Sequence, residues 1–275
     1  MDTGVAPIGI FDSGYGGLTV MRSIVDKLPQ YDYLYFGDNA RTPYGTRSFD
    51  TVYHYTRECV THLFDMGCEL VILACNTASA KALRTIQQND LPRSSGNKRV
   101  LGVVRPTTEM VGRYSHSGHI GLFATNGTVA SNSYVIEIGR FFPHMEVHQQ
   151  ACPMWVPLVE NKQTDTEGAE WFVQQDCIQL LENDPRIDTI ILGCTHYPLL
   201  EPLIRRHVPE KVKLIAQGPV VADRLSDYLQ RHPEIEAQCS KTGKRNFLTT
   251  DDPAVFSKKG SMFFGQQLSA LHFSL

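Results

Sequence analysis

The feature that most constrains the fold is a short pattern that occurs twice: an aliphatic run, a turn that contains a cysteine, and then a helix-forming stretch. The first copy lies at residues 69–80 and reads ELVILACNTASA, and the second lies at 188–200 and reads DTIILGCTHYPLL. A short aliphatic run that is bounded by turn residues is typical of a buried strand in a parallel sheet. Each copy therefore predicts a strand that ends at a reactive thiol, Cys75 or Cys194.

A second repeated pattern lies upstream of each cysteine. It reads IGIFDSG from residue 8 and IGLFATNG from residue 120, so its two copies are separated by nearly the same distance as the two cysteines. Two patterns repeated at nearly one spacing indicate an internal duplication. We therefore predict two similar α/β lobes, the first over residues 1–104 and the second over 105–212. Residues 213–275 are expected to return to the first lobe.

Composition excludes several classes of protein. Of the 275 residues, 42% are hydrophobic and the net charge is −3, so nothing favours nucleic acid or an anionic membrane as a partner. The chain contains no apolar run of about 18 residues and no secretory signal pattern. Seven cysteines, an odd number without paired short spacings, favour a reducing compartment. We expect a cytoplasmic protein with no membrane or nucleic-acid partner.

Two thiols at two strand ends suggest a particular chemistry. Open α/β sheets place their functional residues at the carboxyl ends of strands. A small ligand with a thiol on each side could lose a proton from one face of a tetrahedral carbon and regain it on the other. A thiol suits this reaction because its ordinary pKa, about 8.5, is close to neutrality and is easily lowered. Asp12 and His196 are candidates to tune Cys75 and Cys194, respectively.

Several simpler interpretations remain open. Cys75 could be a buried packing residue, Asp12 a helix cap, His196 a structural hydrogen-bonding group, and Glu160 the solvated end of an irregular apolar segment over 152–160. The glycine-rich turn at 12–17 lacks the features of a nucleotide-binding loop but could hold a carboxylate. No pyridoxal phosphate site is indicated. We also expect no metal, because there is no C-x-x-C pair.

Five ordered motifs carry a resemblance to a known family. They read DSGxGG at 12–17, GDxARxPYG at 37–45, ACNTAS at 74–79, ATxGT at 124–128 and GCTHYP at 193–198. Together they resemble the glutamate racemases, cofactor-independent enzymes that supply D-glutamate for bacterial peptidoglycan, and TTxDP at 249–253 is similar to the family's tail. The resemblance implies two pseudo-symmetric three-layer α/β lobes with mostly parallel sheets and an active site in the cleft between them.

The resemblance also implies roles for individual residues. Cys75 and Cys194 would be the two acid/bases, assisted by Asp12 and His196. The residues that would hold the amino acid are Ser13, Tyr44, Gly45, Asn76, Thr77 and Thr195, with Asp38, Thr125, Thr128 and Glu160 as further possible site residues. The expected ligands are L-glutamate and D-glutamate without a cofactor, and a homodimer is possible.

Two stretches depart from the family pattern. Arg105-Pro106-Thr107 stands where the family usually has Glu-Pro-Gly, and Ala216-Gln217-Gly218 stands where an Asp is common. The reversed charge at Arg105 is expected to alter contacts between the lobes, between subunits or with a regulator, so the sequence does not determine how activity is regulated. Alternatives are a racemase for aspartate or another amino acid, a non-catalytic regulatory protein on the same fold, and a redox protein with a reversible disulfide between the two cysteines.

Overall fold

The computed structural model describes residues 5–94 and 96–275; residues 1–4 of the predicted first lobe and position 95 lie outside the described residues. Its strands form two sheets, one of six strands and one of four, and all their pairings are parallel. Helices connect the strands, so the predicted α/β class is confirmed. None of the described helices is both long and apolar enough to cross a membrane.

The elements follow one another along the chain as strand, helix, strand. The strands are β1 (Ile8–Asp12), β2 (Tyr33–Gly37), β3 (Leu70–Leu73), β4 (Arg99–Gly102), β5 (His119–Ala124), β6 (Glu146–Ala151), β7 (Thr189–Gly193), β8 (Lys213–Ala216), β9 (Arg245–Thr249) and β10 (Leu271–His272). The helices are α1 (Gly17–Lys27), α2 (Phe49–Asp65), α3 (Asn76–Lys81), α4 (Leu83–Thr85), α5 (Val104–Met110), α6 (Asn126–Ser131), α7 (Ser133–Phe141), α8 (Trp155–Glu160), α9 (Glu167–Asn183), α10 (Glu201–His207), α11 (Gln217–Arg231), α12 (Pro233–Glu236) and α13 (Pro253–Phe264). Short 3-10 turns lie at Asn39–Arg41, Leu91–Arg93, Val111–Arg113 and Tyr197–Leu200, and a π turn lies at Ile86–Asp90.

The first sheet has the strand order β10-β9-β2-β1-β3-β4. Strand β1 lies near its centre, and every residue of β1 and β3 is buried, as the aliphatic runs predict. Asp12 at the end of β1 is paired with Gly37, and Phe11 is paired with Leu73. The turns that follow β1, β2 and β3 therefore leave the sheet side by side, which brings together side chains far apart in the sequence.

The second sheet has the order β6-β5-β7-β8, which repeats the order β2-β1-β3-β4 of the first. Ala124 at the end of β5 is paired with Gly193 at the end of β7. Thr125 and Cys194, the residues that come directly after these two strands, consequently lie at the same edge of the sheet. The repeated strand order has the form that a duplication of one strand-and-helix unit would produce.

The chain divides into two compact units. One comprises the described residues up to Val103 together with Gly218–Leu275, and the other is Val104–Gln217. The second unit thus ends five residues beyond the predicted boundary at 212, because β8 pairs with β7 in the second sheet. The chain then returns to the first sheet, where β9 pairs in parallel with β2.

The prediction of an irregular segment over 152–160 is wrong, because Trp155–Glu160 forms the helix α8. Pro157 is its third residue, where a missing N–H costs little since the first helical N–H groups have no acceptor within the helix. The Trp155 ring is fully buried and lies 4.8 Å, between ring centroids, from both Phe123 and Tyr197. Aromatic packing therefore holds this helix, and Glu160 is its last residue.

Candidate active site

Cys75 lies at the carboxyl edge of the first sheet, directly after β3. It is the N-cap residue of α3, and its Sγ accepts a hydrogen bond from the backbone N–H of Ala78 at 3.4 Å. The Oγ of Ser13 lies 3.5 Å from the same sulfur. An N–H group directed at sulfur at the start of a helix stabilises the thiolate form. The repeat that identified Cys75 therefore places its sulfur at the start of a helix, against a backbone N–H donor.

Asp12 is buried at the end of β1, the strand next to β3. Its Oδ2 accepts a hydrogen bond from the N–H of Gly14 at 2.9 Å, within the turn that also carries Ser13. Helix α1 has Gly16 as its N-cap and no side-chain cap, so Asp12 does not cap it. The helix starts close above the carboxylate: a Cβ on Gly17 would lie 2.5 Å from the Cβ of Asp12. The glycine is required there by this close approach.

Asp38 holds the loop that follows β2. Its Oδ2 accepts hydrogen bonds from Arg41 Nε at 2.7 Å and from the hydroxyl of Tyr44, and its Oδ1 accepts one from Thr250 Oγ1 at 2.9 Å. Burial raises the pKa of Tyr44 well above its usual value, so this hydroxyl stays protonated and donates. The guanidinium of Arg41 balances the charge of the buried Asp38. These contacts favour a positioning role for Asp38.

Asn76 and Thr77 form the first turn of α3 and are buried, whereas Gly45 is half-buried in the loop after β2. Sequence reasoning missed Ser79 in the same helix. Its hydroxyl donates to the carbonyl of Leu73 at 2.8 Å and accepts from the N–H of Val103 at 3.3 Å. It thereby ties the turn at Cys75 to the ends of β3 and β4. A serine four positions after the cysteine was the available signal.

Cys194 follows β7 at the carboxyl edge of the second sheet. His196 Nδ1 lies 3.8 Å from the Sγ of Cys194, and His196 Nε2 lies 2.9 Å from Glu160 Oε1. Both the thiol and the imidazole are buried. Thiol, imidazole and carboxylate thus form a continuous chain of polar contacts, with Glu160 supplied by α8.

The charge state of His196 follows from these contacts. Burial alone would lower its pKa, but the hydrogen bonds and charges of Cys194 and Glu160 outweigh burial and raise the pKa to about 10. At neutral pH the ring is therefore an imidazolium that can donate to both neighbours. The ring therefore places an N–H donor beside the sulfur of Cys194, as the backbone of Ala78 does for Cys75.

The remaining predicted residues of the second unit lie at the same sheet edge. Thr125 caps α6: its Oγ1 lies 3.2 Å from the Oγ1 of Thr128 and accepts the N–H of that residue at 3.4 Å. Thr195, which lies between Cys194 and His196 in the sequence, is buried. The structure therefore gives Thr125 a structural hydrogen bond in addition to any role toward a ligand.

The two stretches that depart from the family pattern meet inside the second unit. Gln217 Nε2 donates to Thr107 Oγ1 at 3.1 Å and to the hydroxyl of Tyr134 at 2.7 Å, and all three groups are buried. Arg105, in contrast, is exposed and pairs with Glu109 one turn along α5, at 2.9 Å. Thr107 and Gln217 are thus one hydrogen-bonded pair, and the charge of Arg105 is balanced locally.

The other five cysteines differ from Cys75 and Cys194 in their surroundings. Burial raises the pKa of each, so they remain protonated thiols at neutral pH; they are Cys59, Cys68, Cys152, Cys177 and Cys239. All seven cysteines lie in the described part of the chain, and no disulfide joins any two of them. All five are buried, so they are packing residues of the two units.

Comparisons with known proteins identify the family of the chain. Residues 8–225 match the model of the Asp/Glu/Hydantoin racemase family. The chain is 40% identical to the glutamate racemase of Geobacter metallireducens over 266 residues, which cover 96% of this chain and 95% of that protein. It is also 40% identical to the glutamate racemase of Roseobacter denitrificans over 271 residues, 95% of this chain and 97% of that one.

Two crystal structures are similar over nearly the whole chain. That of the glutamate racemase isoform RacE1 from Bacillus anthracis has a TM-score of 0.89 and 34% identity, with 98% of each chain covered. That of the glutamate racemase from Francisella tularensis in complex with D-glutamate has a TM-score of 0.84 and 30% identity, with 99% of this chain and 98% of that chain covered.

Proposed function

The chain belongs to the Asp/Glu/Hydantoin racemase family, and from that premise we propose that it is a glutamate racemase that interconverts L-glutamate and D-glutamate. The resemblance carried by the five motifs is confirmed. Relatives that are 40% identical over nearly the full length bear the name glutamate racemase, and the similar protein of F. tularensis was crystallised with D-glutamate. These relationships support glutamate as the substrate.

One observation carries the mechanistic part of the proposal. Each of the two parallel sheets ends one central strand at a cysteine, and each sulfur has a nitrogen group beside it: the backbone N–H of Ala78 for Cys75 and the imidazole of His196 for Cys194. The five remaining thiols are held protonated by burial. Two thiols in matching positions suit a reaction that needs two acid/bases.

In the proposed reaction one cysteine is the thiolate and the other is the thiol. The thiolate removes the α-proton of glutamate, and the electron pair of the broken C–H bond stays on the α-carbon. The thiol then gives its proton to the opposite face of that carbon, so the configuration inverts and the two sulfurs exchange protonation states. The reverse reaction uses the same residues in the opposite roles. No other acid or base is required, which supports activity without a cofactor.

The neighbouring groups are proposed to assist the two cysteines and to bind the substrate. His196, held by Glu160 at 2.9 Å, stabilises negative charge on Cys194, and Asp12 lies beside the turn that carries Ser13 and is proposed to assist Cys75. The side chains proposed to hold the amino acid are Ser13, Tyr44, Asn76, Thr77 and Thr195, together with the backbone at Gly45. Because the Tyr44 hydroxyl already donates to Asp38, its free lone pair would accept from the substrate ammonium.

We further propose that the D-glutamate serves peptidoglycan synthesis in the cytoplasm and that the enzyme can act as a homodimer. The resemblance to the glutamate racemases supports the peptidoglycan role, and the odd number of cysteines favours a reducing compartment. Purification of the chain and measurement of its mass in solution test the dimer.

The central experiment follows racemisation of L-glutamate by circular dichroism, and exchange of the α-hydrogen by NMR in deuterated water, with no added cofactor. Cys75→Ala and Cys194→Ala should each lower the inversion rate by at least about 100-fold, the scale of one general acid/base. Cys239→Ala is the matched control, because its exposed fraction of 5% is close to the 6% of the two site cysteines. It should keep the wild-type rate.

Four results would overturn the proposal. Retained inversion in both site variants would remove the two-base mechanism. Faster turnover of aspartate or another amino acid in a substrate panel would make glutamate the wrong substrate. Ligand binding without turnover would indicate a regulatory protein, and thiol counting under mild oxidation would reveal a redox disulfide.

A further inference from the structure

Four metal-ligating side chains meet at the amino-terminal edge of the second sheet, opposite the edge that carries Cys194. His119 begins β5, Glu146 and His148 lie at the start of β6, and Asp184 follows α9 just before β7. One ligand atom from each lies within 4.8 Å of the others. It is the one such group of three or more ligating residues in the described part of the chain.

The distances approach those of a tetrahedral metal site. His119 Nδ1 lies 3.0 Å and His148 Nε2 lies 3.2 Å from Asp184 Oδ2, while His119 Nδ1 lies 3.8 Å from Glu146 Oε2. In a tetrahedral zinc site with bonds of about 2.0–2.1 Å, neighbouring ligand atoms are about 3.4 Å apart. The observed separations bracket this value, so small side-chain movements would complete the coordination.

The two imidazole nitrogens lack another role in the described structure. His119 Nδ1 and His148 Nε2 are both buried, and neither makes a hydrogen bond of acceptable geometry with any described group, although both approach the same carboxylate oxygen. Buried polar atoms are normally satisfied, and a native exception calls for an explanation such as a bound ion. Two nitrogens directed at one point beside two carboxylates match the donors of a metal site.

We propose that His119 Nδ1, His148 Nε2, Asp184 Oδ2 and Glu146 Oε2 bind a divalent transition-metal ion, with Zn²⁺ as the best match. Imidazole nitrogen suits zinc, whereas Mg²⁺ and Ca²⁺ prefer sets made only of oxygen. Strand β5 spans six residues at about 3.3 Å each, so the site lies roughly 17 Å from the carboxyl edge. The ion therefore ties β5, β6 and the connection to β7 together and takes no part in the chemistry at Cys194.

Arg186 orients the carboxylate of Asp184 and also competes with a metal ion for it. Its backbone N–H and its Nε donate to Asp184 Oδ1 at 2.8 and 2.9 Å, and its Nη2 lies 2.7 Å from Oδ2. A metal ion on Oδ2 would displace only the Nη2 contact. The alternative is an ion-pair network in which protonated histidines and Arg186 alone satisfy the carboxylate, and this alternative predicts no metal affinity.

The test titrates Zn²⁺ into chelator-treated protein by calorimetry and repeats the titration with Co²⁺ as a spectroscopic probe. A Cys75→Ser/Cys194→Ser double variant serves as background, because thiolates also bind these ions. We expect one ion per chain, visible Co²⁺ bands without a thiolate charge-transfer band, and a melting temperature raised by about 5 °C at a hundredfold excess over Kd. The readout is binding, so it is independent of whether the chain racemises glutamate.

Variants assign the ligands. His119→Gln and His148→Gln should each weaken binding by at least about 100-fold, since even residues behind the direct ligands cost 10–100-fold. His207→Gln is the matched control: its imidazole is 13% exposed, against 12% for His119, and pairs with Glu170 at 2.6 Å outside the cluster. Glu146→Gln, at a side chain that is 60% exposed, should also weaken binding. Arg186→Gln should tighten it several-fold.

Three results would contradict the proposed metal site. They are an absence of saturable binding of one Zn²⁺ per chain, equal loss of affinity in the His119→Gln and His207→Gln variants, or an Arg186→Gln variant that binds no more tightly than wild type. A Co²⁺ spectrum that depends on the cysteines would place the ion elsewhere and would overturn it as well.

Discussion

Replacement of Glu160 by glutamine should move the titration of His196 without removing its hydrogen-bond partner. The pKa of His196 rises from an ordinary 6.5 to about 10, which at about 1.4 kcal/mol per pH unit corresponds to about 5 kcal/mol. Burial opposes this rise, and Cys194 and Glu160 share it. A hydrogen bond to a charged group contributes about 1.5–3 kcal/mol. Glu160→Gln should therefore lower the pKa of His196 by about 1–2 pH units.

The sign of the stability effect follows from the direction of this pKa. Because the folded-state pKa of His196 lies above the unfolded value, protonation stabilises the folded protein fully below about pH 6.5, and this stabilisation is lost as the pH rises toward 10. Wild type should exceed Glu160→Gln in unfolding free energy by about 2 kcal/mol at pH 6. The difference should shrink toward zero near pH 10.

Two measurements check this prediction. NMR of ¹⁵N-labelled histidine follows the titration of His196 directly, with its resonance assigned through a His196→Asn variant, and urea unfolding at several pH values gives the free energies. Glu170→Gln is the control, since Glu170 pairs with His207 in the same unit and should leave the His196 titration in place. The reasoning is refuted if wild-type His196 titrates near pH 6.5, or if Glu160→Gln leaves its midpoint unchanged.

The remaining predictions concern the residues that hold the first unit's candidate site. Ser79→Ala removes the hydroxyl that donates to the end of β3, and should cost about 1–3 kcal/mol in urea unfolding together with a slower turnover. Asp38→Asn leaves the guanidinium of Arg41 without its buried carboxylate and should cost about 3 kcal/mol, so stability should fall along with activity. Gly17→Ala places a Cβ 2.5 Å from that of Asp12, and overpacking of this kind should cost about 1–3 kcal/mol in thermal or urea unfolding.

Each of these predictions has a result that contradicts it. A Ser79→Ala protein as stable as wild type would show that the hydroxyl does not tie the strand ends together. Loss of activity in Asp38→Asn at unchanged stability would assign Asp38 to chemistry instead of positioning. Gly139→Ala is the control for Gly17→Ala, because no atom lies within 4 Å of its added Cβ and a helical alanine should stabilise by up to about 1 kcal/mol. Equal effects at the two glycines would remove the close-approach argument.

Sequence reasoning succeeded where the determinant is local. The aliphatic runs before Cys75 and Cys194 specify buried strands, and two residues of spacing bring His196 within 3.8 Å of the Cys194 sulfur. It failed where tertiary packing decides. The segment over 152–160 was expected to be irregular, yet burial of Trp155 makes most of it helical and brings Glu160 to His196.

Contacts between distant parts of the chain carry no local signal. Thr250 reaches Asp38 only because β9 pairs with β2, a pairing that the composition of either strand does not encode. The proposed zinc ligands are also spread over three elements, from His119 to Asp184, so no short motif marks them. The same parallel register that aligns the strand ends at the candidate site aligns strand starts at the opposite edge.

Strand β9 is translated long after its partner β2, and this order has a consequence for biosynthesis. As the polypeptide leaves the ribosome, β2 exposes one row of backbone N–H and C=O groups until Arg245–Thr249 has been translated. The contiguous segment Val104–Gln217 is complete by then and can form its own sheet first. A premature stop codon before Arg245 would thus release a chain with a well-formed middle and an open strand edge, a product prone to self-association and a ready substrate for quality-control proteases.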